Sequence, residues 1–214
     1  MAHHVDTYLP AAGHDWALPF YDTMTRVFGI DRARGRFLAD AELCARQRIL
    51  DVGCGTGTFA VLIRTSNPDA EVVGLDPDAK ALRRAKQKAE RAGVRIPFDQ
   101  GSATDLPYAD GSFDRVLSSF MFHHLPFAQK PVVLQEFRRV LRPGGALHLI
   151  DFGGPDAGAR GVRGWFLRRH KHTRNNFGER IPTQLSEAGF ARVRLVSQQM
   201  LLAGPVAHYR AEAL

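Results

Sequence analysis

Cysteine is scarce: there are two in 214 residues. Cys44 and Cys54 make no disulfide framework, and a reducing cytoplasm is the simplest setting. Long apolar runs are missing too. No stretch approaches the roughly 20 apolar residues needed to span a bilayer. The first residues, Met1-Ala2-His3-His4-Val5-Asp6, lack the basic start and apolar stretch of a signal peptide. No repeats and no low-complexity tracts occur. Acids are fewer than bases, 22 against 29, for a net charge of +7. Either an arginine-rich proteome or an acidic partner accounts for that: anionic lipid, nucleic acid or an acidic substrate. The excess gathers in Arg160, Arg163, Arg168, Arg169, Lys171, Arg174 and Arg180, around Trp165-Phe166-Leu167. The length suits one domain with one sizeable core.

What is present is a loop. Ile49-Leu50-Asp51-Val52 runs into Gly53-Cys54-Gly55-Thr56-Gly57, with glycine at alternate positions. An apolar strand ends, the chain turns sharply, and a helix starts at Thr58. Glycine permits φ > 0 and lets a ligand approach bare main chain. Amides at a helix start favour a polar or anionic ligand. A dinucleotide loop wants its third glycine at the sixth position, where this chain has Thr58. The alternative is an ordinary glycine-rich turn between strand and helix.

The next strand, Glu71 to Leu75, ends in Asp76-Pro77-Asp78. That is about 20 residues past the loop, where an adenosine-binding fold wants a carboxylate for ribose hydroxyls. Asp76 is the candidate, with Pro77 flat near the adenine. Alternatively Asp76 or Asp78 caps the following helix. Further along, strands are expected at Val94–Phe98, Phe113–Ser119, Ala146–Asp151, Arg192–Ser197 and Leu201–Arg210. Helices are expected near Thr58–Thr65, Ala79–Ala92, Pro131–Leu141 and Thr183–Ala188. Alternation of strand and helix implies a parallel sheet covered on both faces. The short link Gln198-Gln199-Met200 implies a final hairpin, hence an antiparallel last strand. Ligands of such sheets bind beyond the carboxyl ends of the strands, where Asp51, Asp76, Ser119 and Asp151 fall.

The Asp-x-Gly-x-Gly-x-Gly loop, Val73 to Asp76, Gln100-Gly101-Ser102-Ala103, Leu106-Pro107-Tyr108, Ser112-Phe113-Asp114, Ser118 to Leu125 and Arg139 to Gly145 stand in order. Together they resemble the class I S-adenosylmethionine (SAM) methyltransferases of small molecules, including the ubiquinone/menaquinone biosynthesis C-methyltransferases. The resemblance covers about Arg48 to Asp151. It implies a Rossmann-like α/β fold with a seven-stranded, mostly parallel sheet. An N-terminal helical cap over residues 1–45 would precede a SAM-binding domain over 46–214, with residues 152–182 as a basic segment on the substrate side. SAM is the implied cofactor, with Asp51, Gly53, Gly55, Gly57, Asp76, Pro77, Ser102, Ala103, Ser119 and Phe120 around it. Ser102 departs from the acid usual in the family at that place. The Ser102 hydroxyl and Ala103 main chain are therefore expected to hold the adenine, with Asp105 as a substitute acid.

The SAM methyl sits on an activated leaving group, so transfer is chiefly a matter of positioning. A base is needed only where the acceptor must lose a proton. His123 is the candidate, with His124 second; the alternative is that both brace the loop. No metal site is expected, since Ser118, Ser119 and Phe120 offer no acids. The acceptor is expected to be small or lipid-like. RNA methylation, a SAM-binding subunit without chemistry and an NAD enzyme stay open as alternatives, with nucleic acid disfavoured by the lack of an Asn/Asp-Pro-Pro-aromatic run. His14, Trp16, Phe20 and Tyr21 either close over the cofactor or pack the N-terminal helix onto the sheet. Phe152 and Trp165 belong to the expected acceptor wall. The basic segment either meets an anionic membrane or acceptor, or is a solvated face.

Overall fold

The computed structural model describes residues 27–154, 176, 178 and 180–214. In chain order the elements are α1 (Ile30–Asp40), β1 (Arg48–Val52), α2 (Thr58–Ser66), β2 (Glu71–Asp76), α3 (Ala79–Arg91), β3 (Phe98–Gln100), β4 (Phe113–Ser119), α4 (Lys130–Val140), β5 (Leu141–Phe152), α5 (Arg180–Glu187), β6 (Ala191–Leu201) and β7 (Gly204–Glu212). Two short 3₁₀ turns, Phe122–His124 and Phe127–Gln129, lie between β4 and α4.

The seven strands form one sheet in the order β3-β2-β1-β4-β5-β7-β6. β1 to β5 are mutually parallel, and β7 runs antiparallel to both β5 and β6. The order reverses between β1 and β4, which sets the crevice at their carboxyl ends. Side chains alternate across the sheet, and the core divides accordingly. Ile49, Leu117 and Ile150 pack with Phe37 of α1, Phe59 of α2 and Ala85 of α3. Leu50, Val116 and Leu149 pack with Phe137 of α4 and Leu185 of α5. By the same alternation Asp51, Asp76 and Ser119 belong to the α1 face, and Asp151 to the α4 face.

Of the boundaries that differ from the sequence expectation, three reshape the sheet. β3 begins at Phe98 rather than Val94. Pro97 has no N–H to donate to a ladder, so pairing starts after it, while its carbonyl accepts from Gly74 N at 2.9 Å. β5 begins at Leu141, which pairs with Phe113, and the ladder resumes at Ala146 after a register shift. Arg142-Pro143-Gly144-Gly145 thus bulges out of a strand instead of preceding one. The final hairpin turns at Leu202-Ala203, because Gln198, Gln199 and Met200 continue β6 in register with β7.

Candidate functional site

The glycine loop takes the conformation its composition demands. Gly53, Gly55 and Gly57 have φ of 74°, 53° and 75°, left-handed values that cost other residues energy. At Gly53 a Cβ would stand 2.3 Å from Met121 Cγ, and at Gly57 2.7 Å from Ala85 Cβ. Two of the three positions therefore exclude a side chain on space as well. The loop is stitched to the neighbouring strand. Gly53 N and Cys54 N donate to Leu75 O at 2.8 and 3.0 Å, and Gly57 N donates to Cys54 O at 2.9 Å. Gly55 N donates to Asp76 Oδ2 at 2.8 Å. These four amides are spent inside the protein, so they are not the bare donors that the sequence suggests.

What the loop does hold open is an acid. Asp51 is 1% exposed, and its Oδ2 has no hydrogen-bond partner. Burial pushes its carboxyl up to about 7; the Arg34 charge draws it down, and the Asp76 charge opposes that. A buried carboxylate with an open valence is costly unless a cation arrives. Asp76 is likewise pushed up by burial, to about 6, against hydrogen bonds from Asp78 and Gly55. Its Oδ1 accepts from Asp78 N at 2.9 Å. Each carboxylate oxygen has a second lone pair, which leaves acceptor capacity for hydroxyls. Asp78 caps α3 through Lys80 N and Ala81 N, so of the two acids Asp78 takes the capping role. Pro77 is half-buried, and its carbonyl takes Gln100 Nε2 at 3.0 Å. Ser102 is exposed; its hydroxyl lies 2.7 Å from Thr104 Oγ1 and accepts from Thr104 N at 3.2 Å.

The chain leaves β4 through Phe120, whose φ of 56° is unusual for a side chain of that size. The bond from Phe120 N to Ile150 O, 2.9 Å, holds it there. Its ring meets Phe152 at 5.2 Å, and His123 meets the Phe152 edge at 5.2 Å. His123 Nδ1 lies 2.6 Å from Asp151 Oδ1, and His123 N donates to Asp151 Oδ2 at 2.8 Å. Phe152 N also donates to Asp151 Oδ1, at 2.6 Å. Burial alone would raise the Asp151 carboxyl, but the His123 charge and these bonds hold it below the ordinary value. The His123 Nδ1–Asp151 contact leaves Nε2 as the ring nitrogen for a ligand. His124 stacks on His123 at 4.0 Å. Behind them Lys130 is buried, with its Nζ 4.6 Å from the Phe122 ring centre and bonded to Asn176 Oδ1.

The strand ends thus assemble Asp51, Gly53, Gly55, Gly57, Asp76, Ser119, Phe120, His123 and Phe152. His14, Trp16, Phe20, Tyr21 and Trp165 lie outside the described residues. The basic run around Trp165 lies outside them too, apart from Arg180 at the start of α5. The sequence reading missed two participants. The sequence puts Asp151 at a strand end but does not join it to His123, and it does not single out Arg34. Its signal was legible: α1 buries Ala33, Arg34, Phe37 and Leu38, and an arginine on a buried stripe is an anomaly.

Residues 49–145 match the methyltransferase domain family. The sheet order and the glycine loop agree with that match, and over those residues the chain carries a domain of the methyltransferase family. Within it, the demethylmenaquinone methyltransferase of Deinococcus radiodurans is 42% identical over 147 residues, 67% of this chain and 60% of that protein. The 27-O-demethylrifamycin SV methyltransferase of Amycolatopsis mediterranei is 40% identical over 123 residues, 56% of this chain and 44% of that protein. The chain therefore spans less than two thirds of either relative. Among solved structures, the phosphoethanolamine N-methyltransferase 2 of Haemonchus contortus superposes with a TM-score of 0.76 over 94% of this chain and 58% of its own, at 15% identity. At that identity the likeness is one of fold. Among the described residues no helix is long and apolar enough to cross a membrane.

Proposed function

We propose that this chain binds S-adenosylmethionine across the carboxyl ends of β1, β2 and β4 and catalyses methyl transfer to a small organic acceptor. The acceptor class is a quinol or hydroxylated aromatic or polyketide ring, in line with the names of its curated relatives. One observation carries the reading: the buried Asp51 carboxylate, whose Oδ2 has no hydrogen-bond partner, beside a loop whose Gly53 and Gly57 admit no side chain. An ammonium group satisfies that acid, and the loop leaves room for little more than main chain. The cofactor supplies a methyl group on a sulfonium, displaced as a neutral thioether.

The protein contributes placement and one proton acceptor. Asp51 takes the ammonium, Asp76 the ribose hydroxyls, and Pro77, Ser102 and Ala103 the adenine. Ser119 and Phe120 close the floor at the end of β4, and Phe152 forms an acceptor wall. His123 accepts the acceptor's proton at Nε2 while Asp151 holds Nδ1 and stabilises the charged ring, the division of labour of a base and its orienting acid. His124 is a lesser candidate for the same role.

Calorimetry with S-adenosylhomocysteine against NAD tests the cofactor; heat with NAD and none with S-adenosylhomocysteine overturns the reading. Release of S-adenosylhomocysteine from SAM in the presence of demethylated quinols tests the acceptor class. His123→Ala is expected to lower turnover far more than cofactor affinity, and equal loss of both would return His123 to a bracing role.

A further inference from the structure

Lys130 opens α4 and is only 1% exposed. That is a poor place for a cation on two counts. Burial withdraws the ammonium from water, and the start of a helix carries the positive end of its dipole. The compensation is small. Its Nζ donates to Asn176 Oδ1 and stands 4.6 Å from the Phe122 ring centre. Among the described residues no carboxylate pairs with it; the ion pair of Asp151 is with His123. A hydrophobic side chain of similar length would fill such a site at lower cost.

The charge therefore acts at a distance, and its surroundings show on what. Burial lowers the ammonium to about 8; Asp151 opposes that fall, and Arg180 of α5 adds to it. Asp151 holds the other end of the same group, through His123 Nδ1 at 2.6 Å and His123 N at 2.8 Å. The charged and titratable groups about the His123 ring, among the described residues, are thus Asp151 from β5, Lys130 from α4, Arg180 from α5 and His124 stacked on it at 4.0 Å. A carboxylate bonded to an imidazole favours the charged ring. A ring that already carries its proton cannot accept another, so a base oriented by a buried carboxylate needs an opposing charge to stay competent.

We propose that Lys130 is a positioning residue for proton uptake: its buried ammonium, set behind the His123–Asp151 pair, keeps the His123 ring in the neutral form that can accept the acceptor's proton while Asp151 stays ionised. This rests on the reading of His123 as the base. Lys130 acts through the pair and touches no reacting atom. The device operates below about pH 8, where the ammonium is charged. That is the range in which an imidazole beside a carboxylate is hardest to keep neutral. Asn176 Oδ1 fixes where the charge sits.

The test is a titration of the imidazole proton resonances by NMR, with the His123 signal assigned by its loss in His123→Ala. Wild type is compared with Lys130→Gln, Lys130→Met and Lys130→Arg, and thermal unfolding checks that each variant is folded. Gln can still donate to Asn176 and Met cannot; both lose the charge that Arg keeps. The His123 midpoint should rise by about 1 pH unit in Lys130→Gln and Lys130→Met alike, the effect of one nearby charge. In Lys130→Arg it should stay within about 0.3 unit of wild type. An unmoved midpoint in Lys130→Gln overturns the inference, and that variant decides by itself if Lys130→Met does not fold. Movement in Lys130→Met alone also overturns it, because the tether to Asn176 would then be at work rather than the charge. The acidic limb of kcat/KM, measured with SAM and a demethylated quinol, should move by the same amount as the midpoint. Above about pH 9, where Lys130 has lost its charge in wild type too, the neutral variants should match wild type within about 3-fold. A limb that stays put while the midpoint moves overturns the inference. Full turnover in His123→Ala removes the base reading itself, and the inference with it, even where the midpoint moves.

Discussion

The ends of the strands and their middles bury polar groups on opposite terms. His148 and Asp151 lie on one strand, three residues apart, and both are almost fully buried. His148 sits mid-sheet under Phe37, its Nδ1 3.1 Å from Nε2 of His208 on β7. Burial drives both rings toward the neutral form. His148 falls well below the ordinary value, helped by the His208 charge. His208 falls to about 4, although Asp40 pulls it upward. At the strand end burial is answered instead. Asp151 keeps its charge through the His123 ring and two main-chain amides. Both pairs are histidine-containing and buried, so burial does not mark the functional one. What separates them is the partner: the His123 ring meets the Asp151 carboxylate, whereas the His148 ring meets a second imidazole, His208.

The sharpest way to break this contrast is Asp151→Asn. If His123 works as a base oriented by Asp151, turnover should fall by roughly 10²–10⁴-fold, the range of a lost general base, with S-adenosylhomocysteine affinity within a few fold. Some stability goes too, because the amide NH₂ faces donors that Asp151 now accepts from. Initial rates should therefore be taken well below the variant's own midpoint. Unchanged turnover would make His123–Asp151 as structural as His148–His208.

Asp51→Asn comes next and should act in opposite directions on binding and on stability. The folded carboxyl is raised to about 7, so between its unfolded and folded values the native state holds the extra proton. Its ionisation costs stability as pH rises from about 4 through 7, up to about 4 kcal/mol in total. At pH 8 the unliganded variant should unfold at a higher temperature than wild type, while its cofactor affinity drops about 10-fold or more. A variant less stable than wild type at pH 8 would show that Asp51 is satisfied in the free protein.

Much of this was legible in the chain. Alternating strands and helices dictated the parallel sheet, and the short final link dictated the reversed strand. The loop glycines and the Asp78 cap were readable because their chemistry is local: a positive φ or a cap involves neighbours in sequence. The Arg34–Ser119 contact joins residues 85 apart and His123–Asp151 joins residues 28 apart, and no local pattern encodes either. β5 was shortened for a related reason. Pro143 and Gly144-Gly145 read as a stop, yet Phe113 on a different strand pairs with Leu141 before them.

The mid-sheet histidines predict a smaller effect, with a sign opposite to that of Asp51. Their folded values lie below the unfolded ones, so unfolded chains bind more protons in acid. Stability is complete above about 6.5 and is lost as pH falls toward 4. The double substitution His148→Leu/His208→Leu should flatten urea midpoints measured across that window. A slope equal to that of wild type would show that Asp40 and Ser197, 2.8 Å apart, open to let water in before the rings must ionise.

Ser102→Ala should have the smallest effect. Ser102 stands just past β3, so position alone would group it with Asp76. Its hydroxyl is exposed, though, and already engaged with Thr104. An exposed neutral contact is worth about 1 kcal/mol at most, so cofactor affinity should weaken by no more than about 5-fold by calorimetry. A 50-fold loss would place Ser102 with the buried acids as a true strand-end anchor. It would also show that standing beyond a strand end, rather than burial with an open valence, selects the residues that matter here.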